Sequence, residues 1–399
     1  MHESVAAATA SAGTSSPRRT DLRDGFVARG FEEVAREFER GLSERGEVGA
    51  AFAATLDGRP VVDLWGGVRN RETGEPWRED TLQLVFSGTK AFVAVCLLAL
   101  VERGGLRLDD PVADHWPEFA AAGKAAVLVR HVMSHQAGLP GFRAPVSFED
   151  LTDDVRMAEL LAEQEPFWPP GARLCYHGLT YGWLCGELVR RIDGRSVGRF
   201  FAEEIARPLG LELWIGLPEA EEPRVSTLCR GPEMPPEPSS CPEEITWALE
   251  DNPPAFTGEP TVWNRRAYHA AEIPGAGAIG TARSIARLYG CLARGGELDG
   301  VRILRPETIE LGRACIVRGT DACRGWPLAF GVGFSLQTEL MELGPPLSAF
   351  GHGGAGGSEH GAWPELRVGF SYAMNEMRDD LERSEALLAA LHRAVSGCA

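Results

Sequence analysis

Apolar and polar positions change their period several times along the first hundred residues. From Phe31 to Glu44 the apolar residues recur at helical spacing, which predicts an amphipathic helix. The stretch "VGAAFAATLDGRPVVDLWGGV" follows, two apolar-rich runs joined at Asp57-Gly58. That dipeptide supplies the positive-φ pair of a tight hairpin, so two antiparallel strands are expected. Next, "LVFSGTKAFVAVCLLALVERGG", Leu84 to Gly105, is apolar almost throughout. A helix buried on every side is expected there, stopping at Gly104-Gly105. From Asp109 to about Gly290 the spacing is helical and broken by loops, with "PEMPPEPSSCPEE" (Pro232 to Glu244) reading as a proline-rich surface excursion. Strand character returns in "AFGVGFSL" (Ala329 to Leu336), "LSAFGHGG" (Leu347 to Gly354) and "LRVGFSYAMN" (Leu366 to Asn375), and Leu381 to Val395 is again helical.

Strands at both ends with helices between them predict an α/β chain of the α+β type: one antiparallel sheet drawn from both termini, flanked by helices, with a mainly helical subdomain inserted. In residue terms the expectation is a disordered tail over 1–25, a sheet domain from 26–108 and 291–399, and a helical insertion over 109–290.

Composition narrows the function classes. The chain has 399 residues, 44% hydrophobic and 24% charged, which is the balance of a folded globular protein. A net charge of -17 with no cluster of Lys and Arg argues against a nucleic-acid partner, whose binding rests on neutralised phosphates. No run approaches the roughly 18 apolar residues of a membrane-spanning helix, and the first residues show neither a basic segment nor a sustained apolar one after it. A cytoplasmic protein is therefore expected, of no foreseeable oligomeric state. Nine cysteines is an odd count and none are spaced C-x-x-C, so neither a disulfide framework nor a zinc site is signalled.

Chemistry enters with Ser87 and Lys90. Three apart on a helix, their Cβ atoms lie about 5–6 Å from each other, which sets a nucleophile beside a potential base at the helix entrance. A lysine carried into an apolar helix must be paired or lose its proton, and the reference pKa of about 10.4 must fall before the amine can take a proton from serine at neutral pH. Two further segments extend the pattern. Tyr176, in "WPPGARLCYHGLTYGWLCGELVRRIDG", precedes a second amphipathic helix; beside Lys90 its phenol would be acidified by the ammonium. "FGHGGAGGS", Phe350 to Ser358, is so rich in glycine that another backbone or a ligand is expected to approach it closely.

In this order and at these separations, the three segments resemble those of the class C β-lactamase and penicillin-recognising serine enzymes, most of all the family VIII or EstB-like carboxylesterases. "MSHQAGLP" (Met133 to Pro140) and "AEIPGAGAIGTARSIARLYGCLARGG" are similar to connecting segments of the same group, and the likeness runs from about Phe26 to Arg378. The resemblance implies a β-lactamase/transpeptidase-like fold in which Ser87 is acylated and Lys90 and Tyr176 transfer the proton. It further implies an oxyanion hole formed by the N–H groups of Ser87 and Ala355, and a substrate groove bordered by His177, His352, Gly353 and Gly354. Two departures turn the expectation away from antibiotics: the triplet Tyr176-His177-Gly178 lacks the carboxamide of the lactamases, and His352 replaces their lysine.

Three other patterns carry less. "GAGAIG", Gly275 to Gly280, fits the spacing of a dinucleotide loop, but "NRRAYHAAEIP" before it is no buried strand. His131 and His135 stand at i and i+4 without the glutamate or third ligand that a metal would need. Ser358 and His360 lack the glycines of a nucleophile elbow. The expected function is acyl transfer through an acyl-enzyme: hydrolysis of a small ester, or alternatively transfer of the acyl group to an alcohol or amine. β-Lactam or D-amino peptide hydrolysis and a purely binding role rank lower, and no cofactor or metal is expected.

Overall fold

In the computed structural model, residues 22–232, 239–253 and 262–397 are described. Residues 1–21 of the expected tail and 233–238 of the proline-rich stretch lie outside them. Nine antiparallel strands form the main sheet, in the order β1 (Arg23–Val27), β3 (Arg59–Gly67), β2 (Gly49–Leu56), Val368–Met374, Ser358–Trp363, Phe350–Gly354, Ser335–Leu336, Pro327–Phe330 and Val317–Thr320. Strands from both ends of the chain thus meet where β2 pairs with Val368–Met374. The hairpin between β2 and β3 turns at Asp57 and Gly58, with φ of 50° and 78°, the left-handed pair that their sequence calls for.

Alternation along β2 assigns the two faces of the sheet. Phe52 and Ala54 pack with Phe38 of α1 (Glu32–Glu44) and Leu387 and Leu391 of the last helix, Glu382–Gly397. Ala53 points the other way, onto Ala282 and Ala286 of the helix Ala282–Ala293. That helix comes close enough for a Cβ on Gly290 to meet Thr55 Oγ1 at 2.2 Å, so only glycine fits there.

On this second face lies α2 (Thr89–Glu102), with every residue from Thr89 to Leu100 buried. Its apolar side chains on all sides explain its depth: burying one such as Phe92 or Leu97 contributes roughly 1.5–3 kcal/mol, and no polar face holds the helix at the surface. Helix Thr180–Asp193 packs against it, and Gly194 at φ 88° ends that second helix.

Several expectations need correction. Arg23 to Gly25 belong to β1 rather than to a tail. Ala329–Leu336 is two short strands separated by a turn. Ser358–Trp363, unanticipated, is a strand buried along all six residues. The helix Ala282–Ala293 spans the foreseen boundary at 290/291 and packs on the sheet. Cys241 and Cys323, 82 residues apart, form a disulfide.

Candidate active site

The chain enters α2 through a forced bend. Val85 N–H donates to the Ala278 carbonyl at 3.0 Å, and Phe86 then adopts φ 42°, a left-handed conformation that costs a bulky residue energy. Its ring is held edge-on against Trp263 at 5.3 Å. Thr89 fastens the bend from the other side, its hydroxyl donating to the Phe86 carbonyl and accepting from Ala278 N–H. Ser87 stands at the apex, 9% exposed, one residue before Gly88. A Cβ on Gly88 would lie 2.7 Å from the His360 ring, so glycine lets that imidazole pack beneath the turn.

One turn on, Lys90 is fully buried. Its Nζ lies 3.0 Å from Ser87 Oγ, 2.7 Å from the Gly178 carbonyl and 2.8 Å from the Gly275 carbonyl. Burial, and after it the Arg324 guanidinium, holds Lys90 well below the ordinary lysine range. Once deprotonated, the amine would keep two N–H groups for the two carbonyls and could turn its lone pair to the serine hydroxyl.

Tyr176 completes the group. Its hydroxyl shares a hydrogen bond with Ser87, and its ring lies under Lys90, 4.8 Å from Nζ to the ring centre. Phe330 stacks on one side and His135 packs 4.8 Å away. The expected acidification by Lys90 is not what governs the phenol. Burial pushes its pKa up, and the contrary pulls come from Ser87 and Arg324, so the hydroxyl keeps its proton at neutral pH.

The opposite wall is Phe350–Gly354. A Cβ on Gly354 would lie 2.3 Å from the Val85 carbonyl, which is the close backbone approach that the glycine run predicts. His352 faces Tyr176, ring centres 6.0 Å apart, with Nδ1 on the Gly353 carbonyl and burial drawing its pKa down to about 3. It is a neutral group there. Gly353 and Ala355 flank Gly354 at the end of the strand.

Not every expected neighbour joins the groove. His177 is fully buried, with Nδ1 on the Cys175 carbonyl and Nε2 accepting from Leu139 N–H, so both ring nitrogens are engaged by backbone and none faces a substrate. Its place in the groove is withdrawn. Glu272, in the "AEIP" segment, accepts from Ser196 Oγ and Gly198 N–H of the same chain. The glycines of "GAGAIG" bring backbones together: Gly275 supplies the Lys90 acceptor, and Ala278–Gly280 pairs antiparallel with Gln83–Leu84, no part of a βαβ unit. His131 and His135 bond different backbone N–H groups, of Leu128 and His177. His360 bonds Ser371. Among the described residues no cluster of His, Cys, Asp and Glu is arranged to hold a metal.

Two residues escaped the sequence reading. Asp321 accepts from Tyr176 N–H at 2.7 Å and from the N–H groups of Cys323 and Arg324, fixing the backbone that carries the phenol. Arg324, held by Glu250 at 2.6 Å, is the cation whose charge lowers the pKa of both Lys90 and Tyr176. Both belong to a turn far away in sequence, and only an Asp two residues before Cys323 hints at a local turn.

The Beta-lactamase family model matches residues 34–394. Over 364 residues, 88% of this chain and 82% of the relative, the sequence is 36% identical to the esterase/beta-lactamase LipL of Mycobacterium tuberculosis. A penicillin-binding protein homolog from Caulobacter crescentus superposes with a TM-score of 0.86 at 39% identity, covering 94% of this chain and all of that one. A family VIII carboxylesterase does so with 0.87 at 36% identity, covering 93% and 99%.

Proposed function

The chain belongs to the beta-lactamase family, and from that premise we propose that it is a serine enzyme of acyl transfer, working as a carboxylesterase on small esters. One observation carries the reading: buried Lys90, its other two contacts taken by backbone carbonyls, presents Nζ to Ser87 Oγ at 3.0 Å. In this reading Ser87 Oγ attacks the ester carbonyl as its proton passes to Lys90. The N–H groups of Ser87 and Ala355 receive the oxyanion. Tyr176, kept protonated by burial, donates to the departing alkoxide and is reprotonated from Lys90. Water then attacks the acyl-enzyme with Lys90 again accepting a proton; the acyl–Oγ bond breaks and Lys90 returns that proton to Ser87 Oγ.

Neutral His352 leaves this wall of the groove without the lysine charge expected of a lactamase, which supports an ester over a carboxylated drug. LipL and the family VIII carboxylesterase bear names of the same activity. No described helix is long and apolar enough to cross a membrane. The cytoplasmic location expected from the sequence stands against the Cys241–Cys323 disulfide, a bond that persists mainly in oxidising compartments.

The test is intact-protein mass after mixing with p-nitrophenyl butyrate or a cephalosporin, with and without a small alcohol acceptor. A butyryl adduct present in the native chain and missing from Ser87→Ala supports the reading, and adduct decay accelerated by the alcohol moves it to a transacylase. Butyrate release that persists in Ser87→Ala would overturn it.

A further inference from the structure

Three sulfurs meet next to Tyr176. The Cys241–Cys323 disulfide ties the segment leading into helix Glu243–Glu250 to the turn that carries Asp321 and Arg324. The thiol of Cys175, the residue before Tyr176, lies 3.8 Å from Cys323 Sγ. Cys175 and Cys323 are buried against Trp168, whereas Cys241 is partly exposed. The two strands of chain are also fastened to each other by backbone: Ala322 N–H donates to the Leu174 carbonyl at 2.8 Å, and Asp321 accepts from Tyr176 N–H. A free thiol is thus held in contact with one sulfur of an existing disulfide.

We infer that Cys175 is an exchange site for this disulfide. Its sulfur bonds to Cys323, the Cys323–Cys241 bond breaks, and the proton that leaves Cys175 ends on the Cys241 thiol. The count of disulfides and thiols is unchanged, so no oxidant enters.

The exchange acts on the wall of the site. Helix Glu243–Glu250 carries Ala248 and Leu249, which border a narrow cleft with Gly178 and Thr180, and Glu250, which holds Arg324 at 2.6 Å. With Cys241 released, that helix loses its covalent tie to the turn, and the new bond draws the chain at Tyr176 onto it. Burial pushes the Cys175 thiol up; Asp321 and Glu250 add to this, while Arg324 and Arg173 oppose it. Thiolate is therefore scarce in the closed cluster, and interconversion runs over minutes to hours.

The full chain is incubated at mildly alkaline pH with a trace of glutathione, quenched in acid, alkylated, and digested without reduction. Peptide mapping is expected to find both linkages, 241–323 and 175–323, with the alkylated thiol moving from Cys175 to Cys241. The Cys175→Ser chain should hold 241–323 alone. The Cys241→Ser chain, oxidised with glutathione disulfide, should form 175–323. If the native chain yields only 241–323, or if Cys175 and Cys323 stay unlinked in Cys241→Ser of native circular dichroism, the inference fails.

The effect on turnover rests on the proposed esterase reading, and the sulfur map does not. The 175–323 form is expected to hydrolyse p-nitrophenyl butyrate at least about tenfold more slowly, with recovery on back-exchange. Equal rates would break the link to the site. Complete exchange in a chain with no esterase activity in either form would leave the sulfur chemistry standing and refute the reaction.

Discussion

Lys90 and Lys124 both expose no surface to water, and the three hydrogen-bond partners of each Nζ differ at one position. Lys124 donates to three backbone carbonyls, those of Ala121, Ala162 and Gln164. Lys90 has two carbonyls, and its third neighbour is the Ser87 hydroxyl. Carbonyl oxygens accept and never donate, so the cage around Lys124 suits an ammonium and loses a bond when the proton leaves. A hydroxyl does both. Lys90 can pass a proton to its neighbour, or take one, with all three contacts kept. A buried cation is therefore no sign of chemistry by itself; the kind of acceptor around it is.

The comparison breaks first on turnover. Lys90→Met is expected to lower kcat on p-nitrophenyl butyrate by on the order of 10³-fold or more, while Lys124→Met stays within about twofold in steady-state assays. Similar losses in the two variants would make both lysines structural. Stability separates them less, since Lys90→Met strips the donor from two carbonyls and Lys124→Met from three. Lys124→Met leaves carbonyls without donors, at about 1–3 kcal/mol for each that water does not reach, readable as a lower urea midpoint at neutral pH.

A pH series sharpens the contrast. Burial draws Lys124 from 10.5 to about 8 in the folded chain, so between these values the unfolded state binds more protons and stability rises with pH. Below about 8 both states are protonated and this contribution is flat. Lys124→Met should remove that rise in urea titrations taken across the window, and a rise that persists would assign it to other groups. The smallest effect concerns Arg324, whose charge adds to burial in lowering the Lys90 pKa. In Arg324→Met the acid limb of kcat/KM should move upward in pH, because Lys90 then holds its proton longer; an unmoved limb would uncouple the two.

Local periods in the sequence carry α1, the β2–β3 hairpin and the buried α2, because each follows from spacing or from one turn dipeptide. Gly354 was legible for a similar reason: glycine repetition has few meanings other than close approach, and the Val85 carbonyl is what approaches. Ser358–Trp363 escaped because a strand between two others, covered on both faces, need not alternate, and here it buries Glu359 and His360. His177 was misplaced because adjacency to Tyr176 says nothing about which way the next side chain turns. Asp321, Arg324 and the Cys241–Cys323 bond depend on contacts between distant segments, for which a single sequence holds no period.

The meeting of both chain ends in one sheet also bears on how the protein is made. A ribosome releases the Ser87 turn early, yet the wall that faces it and the strand that pairs with β2 emerge only near the end of synthesis. Pairings so remote in sequence form slowly, and until they form α2 exposes an unbroken apolar surface. A nascent chain stopped before Phe350 would thus hold its serine and lysine and none of the opposite wall: inert toward esters, and a natural client for a chaperone.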